Sequence, residues 1–453
     1  EGIEGESSNI QIDQFLSDLS TQTYRVKLAA KNWREVFQGL GEIISTGRHI
    51  LVFDEFPWMA AERTNIISDL KLYWDRWSMT NKNIVLFLCG SVANFMVKHI
   101  VHSKALHNRK TLEICLGSLS PQESAAFIKH RGTHEKAMLY MCLGGIPKYL
   151  EQIDPSLSIE KNLNQLCFSA NGFFLEEYDT LFKEQFRSIK IYQSIVELLS
   201  KYSMGMSDIA NEIKISKGGG LSGYLQNLTR AQFVREYKPI SLPNIYNTSN
   251  TKNALKANFD NFKTKTRTQK YKLIDYFLIF YFRYIHLNKN LIKRNVQGVN
   301  LFKSITYSSF DQYLGFTFER FCEDSLLSIL KASHIDLTDI ENMGPYFQRK
   351  SFNSFSTINT RSNHQPTTSS SNSGVQIDYL IWRKDKVCSV AEFKYHHKPI
   401  GMEVVHSVKQ KIEKLNLPSK ISIEKILVAA NGVTSGVKNS KYFQHILTLD
   451  DLL

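Results

Sequence analysis

The segment HILVFDEFPW, residues His49 to Trp58, runs an apolar stretch directly into two adjacent carboxylates, Asp54 and Glu55. The apolar stretch predicts a buried strand. Isolated buried charges are costly, so a pair of acids at such a strand end usually lies at the mouth of a site or holds a ligand. A solvated strand end is the alternative interpretation of the same residues.

The residues around this segment predict an α/β sheet. NIVLFLCGS reads as a second buried strand that ends in Gly90 and Ser91, and TLEICLGSLS is a candidate third strand. Segments with helical apolar spacing lie before and between them, namely NIQIDQFLSDLS, NWREVFQGLGEIIS and NIISDLKLYWDRW. Continuous apolar strands separated by helices are typical of a parallel sheet that is covered on both faces.

A second pair of charges interrupts an apolar run near the other end of the chain. SVAEFKY carries Glu392 and Lys394, which are two residues apart and therefore face the same way on a strand. Asp378 lies on the preceding predicted strand, across a hairpin. Carboxylates bind hard cations through oxygen, a bound Mg²⁺ activates water, and a lysine helps to position that water. This D…ExK arrangement predicts phosphodiester hydrolysis; the alternative is a Glu–Lys pair with an unrelated aspartate nearby.

The residues near this second constellation extend the same prediction. Glu319, on the helix before the first of these strands, matches an additional acid of the metal site. His396 and His397 follow the ExK strand and are interpreted as exposed loop residues rather than ligands. The helix after the strand carries three lysines that either contact phosphates or form a solvated face, namely Lys409, Lys411 and Lys414.

The middle of the chain is predicted to be helical, with a break between two helices at Gly144 and Gly145. SPQESAAFIKH has Ser120 as an N-cap and Glu123 at the capping-box position. Residues 188–240 follow the order helix, short helix with Ser207 as N-cap, third helix and strand, which is typical of a winged helix-turn-helix. Such domains bind DNA or act as protein-contact modules. Three basic residues lie near the predicted recognition helix, namely Lys214, Lys217 and Arg230.

Composition limits the classes of protein that the chain can belong to. The formal net charge is +13, which favours a polyanionic partner such as DNA or reflects a lysine-rich proteome. The six cysteines are scattered, with no CxxC spacing, so neither a zinc site nor a disulfide framework is predicted and a cytoplasmic protein is expected. No signal peptide or membrane-spanning stretch is predicted, and the longest apolar run, LIDYFLIFYF, is interpreted as a buried helix.

These motifs, in this order, resemble one known family. The motifs are LVFDEFPWM, LFLCGS, NRKTLEICLGSLS, GGIPKYL, GFTFE, QIDYLI and AEFKY. Together they resemble prokaryotic AAA+-like P-loop ATPases, common in archaea, that carry a C-terminal restriction-nuclease-like domain. The resemblance covers roughly residues 10 to 450. It implies that Asp54 and Glu55 form a Walker B motif for ATP and Mg²⁺, that Ser91 is sensor-like, and that Arg109 is a sensor or arginine finger.

One element of that family is missing. Its phosphate-binding loop, GxxxxGK[ST], would precede His49, but every lysine followed by Ser or Thr lies after Asp54 and none follows a glycine: Lys110, Lys263, Lys265, Lys303 and Lys350. The backbone cradle for the phosphates is therefore absent from this sequence. The chain also does not begin with Met, so loss of an N-terminal segment and decay of an ATPase are both open. We expect the chain alone to bind ATP poorly.

The predicted architecture is an α/β multidomain protein. Its parts are a P-loop ATPase core lacking its N-terminal segment (1–120), a helical lid (121–185), a winged helix (186–245), a helical linker (246–304) and a restriction-nuclease-like domain (305–453) with a disordered loop at 351–374. The predicted function is an ATPase coupled to a DNA-binding, Mg²⁺-dependent nuclease domain. The alternative is a non-catalytic DNA-binding or regulatory protein that keeps both folds. A homo-oligomer or a protein partner bound through the winged helix is also expected.

Overall fold

The structure is a computed structural model of the 453-residue chain. The description covers residues 1–23, 28–60, 65–91, 95–104, 106–186, 189–215, 219–240, 269–295, 299–348, 374–415, 417 and 420–453. The predicted disordered loop at 351–374 lies outside these residues except for Gly374, and Lys217 lies outside them as well.

The N-terminal third of the chain alternates helices and strands. Its elements are α1 (Ser8–Thr23), α2 (Trp33–Ile43), β1 (His49–Phe53), α3 (Phe56–Met59), α4 (Ile66–Thr80), β2 (Ile84–Leu88) and a π-helical turn (Met96–Val101).

The middle third is mainly helical. Its elements are α5 (Pro121–Phe127), α6 (Thr133–Leu143), α7 (Pro147–Leu150), α8 (Ile159–Cys167), α9 (Phe173–Gln185), α10 (Ile189–Lys201), β3 (Met204–Gly205), α11 (Met206–Glu212), α12 (Gly219–Arg230), β4 (Val234–Tyr237), β5 (Lys270–Leu273), α13 (Tyr276–Phe280), a π-helical turn (Tyr281–Ile285), a 3₁₀ turn (His286–Asn288), α14 (Lys289–Lys293) and α15 (Leu301–Thr306).

The C-terminal third is a mixed sheet with flanking helices. Its elements are α16 (Phe310–Asp324), α17 (Leu326–Ala332), a 3₁₀ turn (Leu337–Asp339), β6 (Ile340–Gln348), β7 (Val375–Arg383), β8 (Val387–Lys394), α18 (Glu403–Leu415), β9 (Ser422–Ala429), α19 (Ser435–Ser440), β10 (His445–Leu447) and α20 (Leu449–Leu452).

The chain divides into two compact units. The first comprises Glu1–Leu116, Asp179–Ile189 and Gly223–Phe233. The second comprises Gly117–Tyr178, Lys190–Ser222 and Val234–Leu453. Each candidate site described below lies within one unit.

The first unit is built on a parallel pair of strands. β1 and β2 pair over their whole length, from His49 opposite Ile84 to Phe53 opposite Leu88. A buried aromatic cluster of α2, β1, α3 and α4 packs against one face of the pair, with Phe37 at its centre. Helix α2 begins where the Asn32 side chain accepts the N–H of Glu35, a regular N-cap.

The prediction that both faces of this sheet are covered is wrong for one face. Four apolar side chains stand exposed there, paired across the two strands: Ile50 with Val85 and Val52 with Phe87. The candidate third strand TLEICLGSLS has no regular structure, and its Leu112, Ile114 and Leu116 are exposed. Apolar content along a strand predicts pairing and burial, but both need partner elements, and the described residues supply none to this face of the sheet.

The predicted capping box and helix break of the middle segment are both present. The Ser120 hydroxyl accepts the N–H of Glu123, and the Glu123 carboxylate accepts the N–H of Ser120, so α5 begins at Pro121. Helix α6 ends at Gly144, whose positive φ of 75° is readily adopted only by glycine. The local sequence was sufficient to predict both features because each depends on neighbouring residues.

A three-stranded antiparallel sheet in the order β3-β5-β4 follows α10, α11 and α12. Helix, strand, helix, helix and two strands is the element order that a winged helix would have, and that interpretation remains a prediction. Helix α11 begins two residues earlier than expected, because Gly205 and not Ser207 is its N-cap. Lys214 lies after α11 with a positive φ of 56°, and Arg230 lies in the last turn of α12.

The aromatic segment expected to be one buried helix begins as a strand. Residues Lys270–Leu273 form β5, and the helix starts only after Asp275. The aromatic residues themselves are buried as expected, with Phe277, Phe280 and Tyr281 almost completely inaccessible. Tertiary pairing of β5 with β3 and β4 overrides the local helical pattern.

The second unit ends in a five-stranded mixed sheet in the order β10-β9-β8-β7-β6. β6, β7 and β8 are antiparallel neighbours, whereas β8, β9 and β10 are parallel. One buried apolar cluster contains Ile377, Trp382 and Val390, and another contains Val408 and Leu427. The predicted hairpin with its turn at Lys384–Asp385 is present.

All six cysteines are free, and four of them are buried. Within the ranges given above, no helix is both long enough and apolar enough to cross a membrane.

Candidate functional site

The acid pair Asp54–Glu55 lies at the carboxyl end of β1, as predicted. Phe53 ends the strand, and Glu55 adopts a left-handed conformation with φ 49° and ψ 44° as the N-cap of α3. This conformation is unfavourable for a residue with a Cβ, by about 1 kcal/mol or more. Asp54 accepts the N–H of Glu55 at 3.1 Å, which supports the turn. Because of this sharp turn, the two neighbouring carboxylates lie beyond the end of the strand.

Ser91 meets Glu55 at the end of the neighbouring strand. The Ser91 hydroxyl donates to Oε2 of Glu55 at 3.0 Å, and the backbone N–H of Ser91 donates to the same atom at 3.3 Å. Gly90 makes this approach possible, because a Cβ at that position would lie 2.4 Å from Cδ of Pro57. The structure therefore brings together Glu55 and Ser91, which the sequence had placed at adjacent strand ends.

The strand ends have a negative potential. The pKa of Cys89 is raised, first by burial and then by the negative charges of Asp54 and Glu55. Asp54 is exposed and Glu55 is half-buried, so both carboxylates are reachable from solvent. A cation or a cation-bound phosphate would be favoured at such a site.

Arg109, the predicted sensor or finger, forms an ion pair with Asp75 of α4. Its Nε and Nη2 lie 2.6 and 2.9 Å from the two Asp75 oxygens. The hydrogen bond from Arg109 lowers the pKa of Asp75. This bidentate geometry gives Arg109 a structural role in the first unit.

The second constellation converges on one face of the β7–β8 hairpin. Asp378 lies one residue beyond the Tyr379–Ala391 pair, and its Oδ2 accepts the N–H of Phe393 at 2.8 Å. Glu392 is on β8, where its side chain is only 1% exposed, and that of Asp378 is 4% exposed. Two carboxylates buried this deeply require compensating cations.

Two ammonium groups supply that compensation. Lys394 Nζ lies 2.6 Å from Oε1 of Glu392 and 3.9 Å from Oδ2 of Asp378. Lys411 of α18 donates to both oxygens of Glu392, at 2.6 and 2.8 Å. Burial lowers the pKa of Lys394, but Asp378 and Glu392 raise it, and the net shift is upward. Glu392 is thus held by one lysine of its own strand and one of the following helix.

Glu319 approaches the same group from α16. Burial, and then the negative charge of Asp378, raise the pKa of Glu319 to about 7. Burial and the charge of Glu392 raise the pKa of Asp378 to about 6. The buried carboxyl groups of Glu319 and Asp378, whose pKa values are raised in this way, favour an added cation.

All of these residues except the buried Glu392 line one polar cavity of about 420 Å³ in the second unit. Glu319, Asp378 and Lys394 form one side, and three residues of α18 form the other: Ser407, Gln410 and Lys411, with Lys414 beside them. The cavity therefore combines acids that can hold a cation with lysines that can bind an anion. Both are needed where a metal ion and a phosphate meet.

The carboxylates fit a Mg²⁺ ion that keeps part of its water shell. Within the described residues, no group of three or more His, Cys, Asp or Glu side chains is close enough to hold a metal ion. Mg²⁺, however, usually keeps several waters and is bound by one or two carboxylates plus substrate phosphate. The Lys411 ammonium, bound by both Glu392 oxygens, stands where a hard cation would be bound. Asp378 and Glu392 are the pair that fits, with Glu319 nearby.

Part of this polar cavity lies within a stretch that matches a described family. Residues 281–408 match the family model DUF234, described as archaeal and bacterial proteins of unknown function. The match takes in Glu319, Asp378, Glu392 and Lys394, but not Lys411 or the first unit's strands.

Two individual proteins are similar to the chain over longer stretches. An uncharacterized protein of Methanocaldococcus jannaschii is 24% identical over 310 residues, which is 68% of this chain and 63% of that protein. The chain thus spans less than two thirds of that relative. A solved structure, the Walker-type ATPase of Pyrococcus abyssi, is 19% identical and aligns with a TM-score of 0.39 over 61% of this chain and 77% of that one.

The contact between Lys411 and Glu392 is not among the features predicted from the sequence. The signal was present: Lys411 occupies the same helical face as Val404, Val408 and Leu415, all of which are buried. A lysine within an apolar helical stripe needs an anionic partner inside the protein. Its neighbour Lys409 is exposed, as a solvated lysine would be, and His396 and His397 are exposed as predicted.

Proposed function

We propose that the second unit hydrolyses phosphodiester bonds of nucleic acid with the help of Mg²⁺. The observation that carries the proposal is the cluster of Asp378, Glu392 and Lys394 on two paired strands, of which Asp378 and Lys394 line one polar cavity and Glu392 lies buried beside Lys394. The net charge of +13 and the lysines of α18 favour a polyanionic substrate.

Each residue has a part in this proposal. Asp378 and Glu392 would hold the Mg²⁺ ion, which when bound activates water and neutralises charge on the phosphate. Lys394 holds the two carboxylates together and lies where it can orient the attacking water and stabilise developing negative charge. Lys411 and Lys414 line the same cavity, where their ammonium groups would bind the phosphate backbone of the substrate.

A nicking assay tests this proposal. Supercoiled, linear duplex and single-stranded DNA are incubated with the full chain and Mg²⁺ or Mn²⁺, and compared with Asp378→Asn and Lys394→Ala. We expect cleavage by the wild type, none above background by Asp378→Asn, and a loss of about 100-fold or more in Lys394→Ala. Asp385→Asn is the matched control, because Asp385 lies in the exposed hairpin turn and pairs with Arg383. No cleavage of any DNA form over a range of metals would overturn the hydrolytic function, and DNA binding alone would favour a non-catalytic protein.

The first unit supports a second candidate function, a nucleotide-hydrolysing site of the Walker B type. The observation that favours it is the hydrogen bond between Ser91 and Glu55 at the carboxyl ends of two parallel strands. Ligands of open α/β sheets bind outside these strand ends. Asp54 would assist a nucleotide-bound Mg²⁺, and Glu55 would orient the attacking water.

This chain lacks the GK[ST] loop that would cradle the phosphates, so we propose that it holds only part of a nucleotide site. We expect ATP binding measured by calorimetry to be weak and turnover to be negligible. Micromolar ATP affinity with turnover that Glu55→Gln abolishes would show instead that the chain is self-sufficient. Glu42→Gln, on exposed α2 surface of the same unit, is the control for a general effect of charge.

A further inference from the structure

The Lys411 ammonium binds the Glu392 carboxylate in the way that a metal cation would. This ammonium donates to both carboxylate oxygens, at 2.6 and 2.8 Å, although Lys394 already contacts Oε1 of the same group at 2.6 Å. The Glu392 side chain is 1% exposed. A divalent cation that binds both Glu392 oxygens therefore competes with Lys411, because the two lysines already occupy most of the lone pairs of these oxygens and a third cation beside them would be repelled.

The Lys411 side chain also has room to move. It faces the cavity from α18 and is 24% exposed, so its ammonium group is reachable from the cavity mouth. Gln410 and Lys414 line the same cavity from the same helix. A four-carbon stem lets the ammonium move several ångströms without any change in the backbone. An anion that entered the cavity beside a bound cation would meet this displaced charge.

We propose that Lys411 is an exchangeable cation: it holds Glu392 in the free protein, gives Glu392 up to a divalent cation, and then binds a backbone phosphate of the nucleic acid. The inference rests on the proposed Mg²⁺-dependent function and assigns to Lys411 the coupling of metal binding to substrate binding. Without Lys411, the metal competes only with Lys394 for Glu392, so metal binding becomes tighter and less dependent on substrate. If Lys411 did not return to Glu392, this buried carboxylate would keep only Lys394 as a partner whenever the metal dissociated.

Metal binding by the full chain tests the proposal without any measurement of cleavage. Mn²⁺ binding is measured by electron paramagnetic resonance, with and without a short single-stranded DNA, for the wild type, Lys411→Gln and Lys411→Arg. We expect Lys411→Gln to bind Mn²⁺ at least about tenfold more tightly than the wild type, and to lose most of the enhancement that DNA gives. Lys411→Arg keeps a cation on Glu392 and should remain close to the wild type.

Two further variants make the outcome decisive. Lys409→Gln removes the same charge from an exposed position of the same helix and should leave Mn²⁺ affinity unchanged. Glu392→Gln should abolish Mn²⁺ binding in both the wild-type and the Lys411→Gln backgrounds. Circular dichroism establishes that each variant is folded.

The failures are distinguishable. Equal Mn²⁺ affinity in the wild type and Lys411→Gln, lost in both upon Glu392→Gln, overturns the exchange and leaves the metal site standing. No Mn²⁺ binding in any folded variant overturns the proposed metal-dependent function and the exchange with it. Tighter binding in Lys409→Gln as well would mean that only the overall charge matters, which also overturns the specific role of Lys411.

Discussion

Asp275 is an N-cap residue whose carboxylate is held in an unfavourable environment. It caps α13 by accepting the N–H of Leu278 at 2.8 Å. Burial raises its pKa from 3.8 to about 6, although the hydrogen bonds from Leu278 and Phe277 act in the opposite direction. The folded protein therefore holds a proton on this residue more tightly than the unfolded chain does.

This pKa shift predicts a pH dependence of stability. Because the folded pKa exceeds the unfolded value, the stabilisation is complete below about pH 4 and is lost as the pH rises through about 6. Asp275→Asn keeps an oxygen acceptor for the cap but cannot ionise. We expect its free energy of unfolding to exceed that of the wild type at pH 7 by up to about 3 kcal/mol, and the difference to vanish near pH 4. Urea unfolding between pH 4 and 7 measures it.

Asp336 provides a control with the opposite sign. Hydrogen bonds from Thr338 lower its pKa, so its contribution to stability is present at neutral pH and is lost only as the pH falls through that lowered value. Asp336→Asn should therefore be less stable than the wild type at pH 7. If Asp275→Asn behaved in the same way, burial would not be the dominant influence on Asp275.

At the residue scale, the sequence was most informative where a feature depends on its immediate neighbours. The capping box of Ser120 and Glu123 and the convergence of Glu392 with Lys394 both follow from short spacings along the chain. Lys411 lies 19 residues beyond Glu392, and no local rule pairs them. Its partner is decided by the packing of α18 on the sheet, and the sequence carries that only as a lysine within an apolar stripe.

Strand β5 and helix α16 are joined by an almost buried ion pair in the second unit. Lys272 of β5 contacts Glu323 of α16, and its side chain is 8% exposed. Burial lowers the pKa of Lys272, whereas the charge and hydrogen bond of Glu323 raise it, and the net shift is downward. The ammonium also lies 5.0 Å from the ring centre of Tyr237 on β4. Helix α16 thus presents Glu323 to one sheet and Glu319 to the polar cavity.

Removing one partner of this pair should be costly. Lys272→Met leaves the Glu323 carboxylate desolvated and without its lysine partner. We expect a loss of about 3–5 kcal/mol in the free energy of unfolding. The double variant Lys272→Met/Glu323→Gln should recover a large part of that loss, because no buried charge is left. Chemical denaturation of the single and double variants measures the coupling.

A surface pair offers the matched comparison for this effect. Lys201 and Glu197 are four residues apart on α10. Nζ of Lys201 lies 3.1 Å from Oε1 of Glu197, and both side chains are about half exposed. Lys201→Met should change the free energy of unfolding by less than about 0.5 kcal/mol. Similar losses in Lys272→Met and Lys201→Met would contradict the view that desolvation gives the Lys272–Glu323 pair its importance.

At the element scale, periodicity predicted helices well and strand partners poorly. The helices around β1 and β2 and the hairpin β7–β8 follow the apolar patterns of their own sequences. β5 was assigned to a helix because its residues continue a helical pattern, and only its antiparallel pairing with β4 makes it a strand. The error for TLEICLGSLS is the opposite one: a strand was predicted where the chain has no regular structure. An apolar alternation alone cannot supply a strand to pair with.

At the scale of the whole molecule, the bare face of the β1–β2 pair is the largest departure from the expected architecture. Ile50 is 62% exposed, Val52 is 56% exposed, Phe87 is 46% exposed and Val85 is 43% exposed. Parallel strands are normally covered on both faces, and contiguous exposed apolar residues mark an interaction surface or a site of aggregation. The carboxylates of the Walker B-like segment follow directly from one of these two strands.

This surface predicts how the isolated chain behaves in solution. The triple variant Ile50→Thr, Val52→Thr and Val85→Thr keeps β-branched side chains suited to a strand and removes much of the apolar surface. We expect it to bind less of a hydrophobic dye such as ANS and to scatter less light at high concentration than the wild type, with little change in thermal stability. Val428→Thr, at a fully buried position of β9, is the control: it should lower stability without reducing dye binding. Unchanged dye binding by the triple variant would mean that the exposed face does not govern association, and that the apolar residues of β1 and β2 are covered in solution by other parts of the chain.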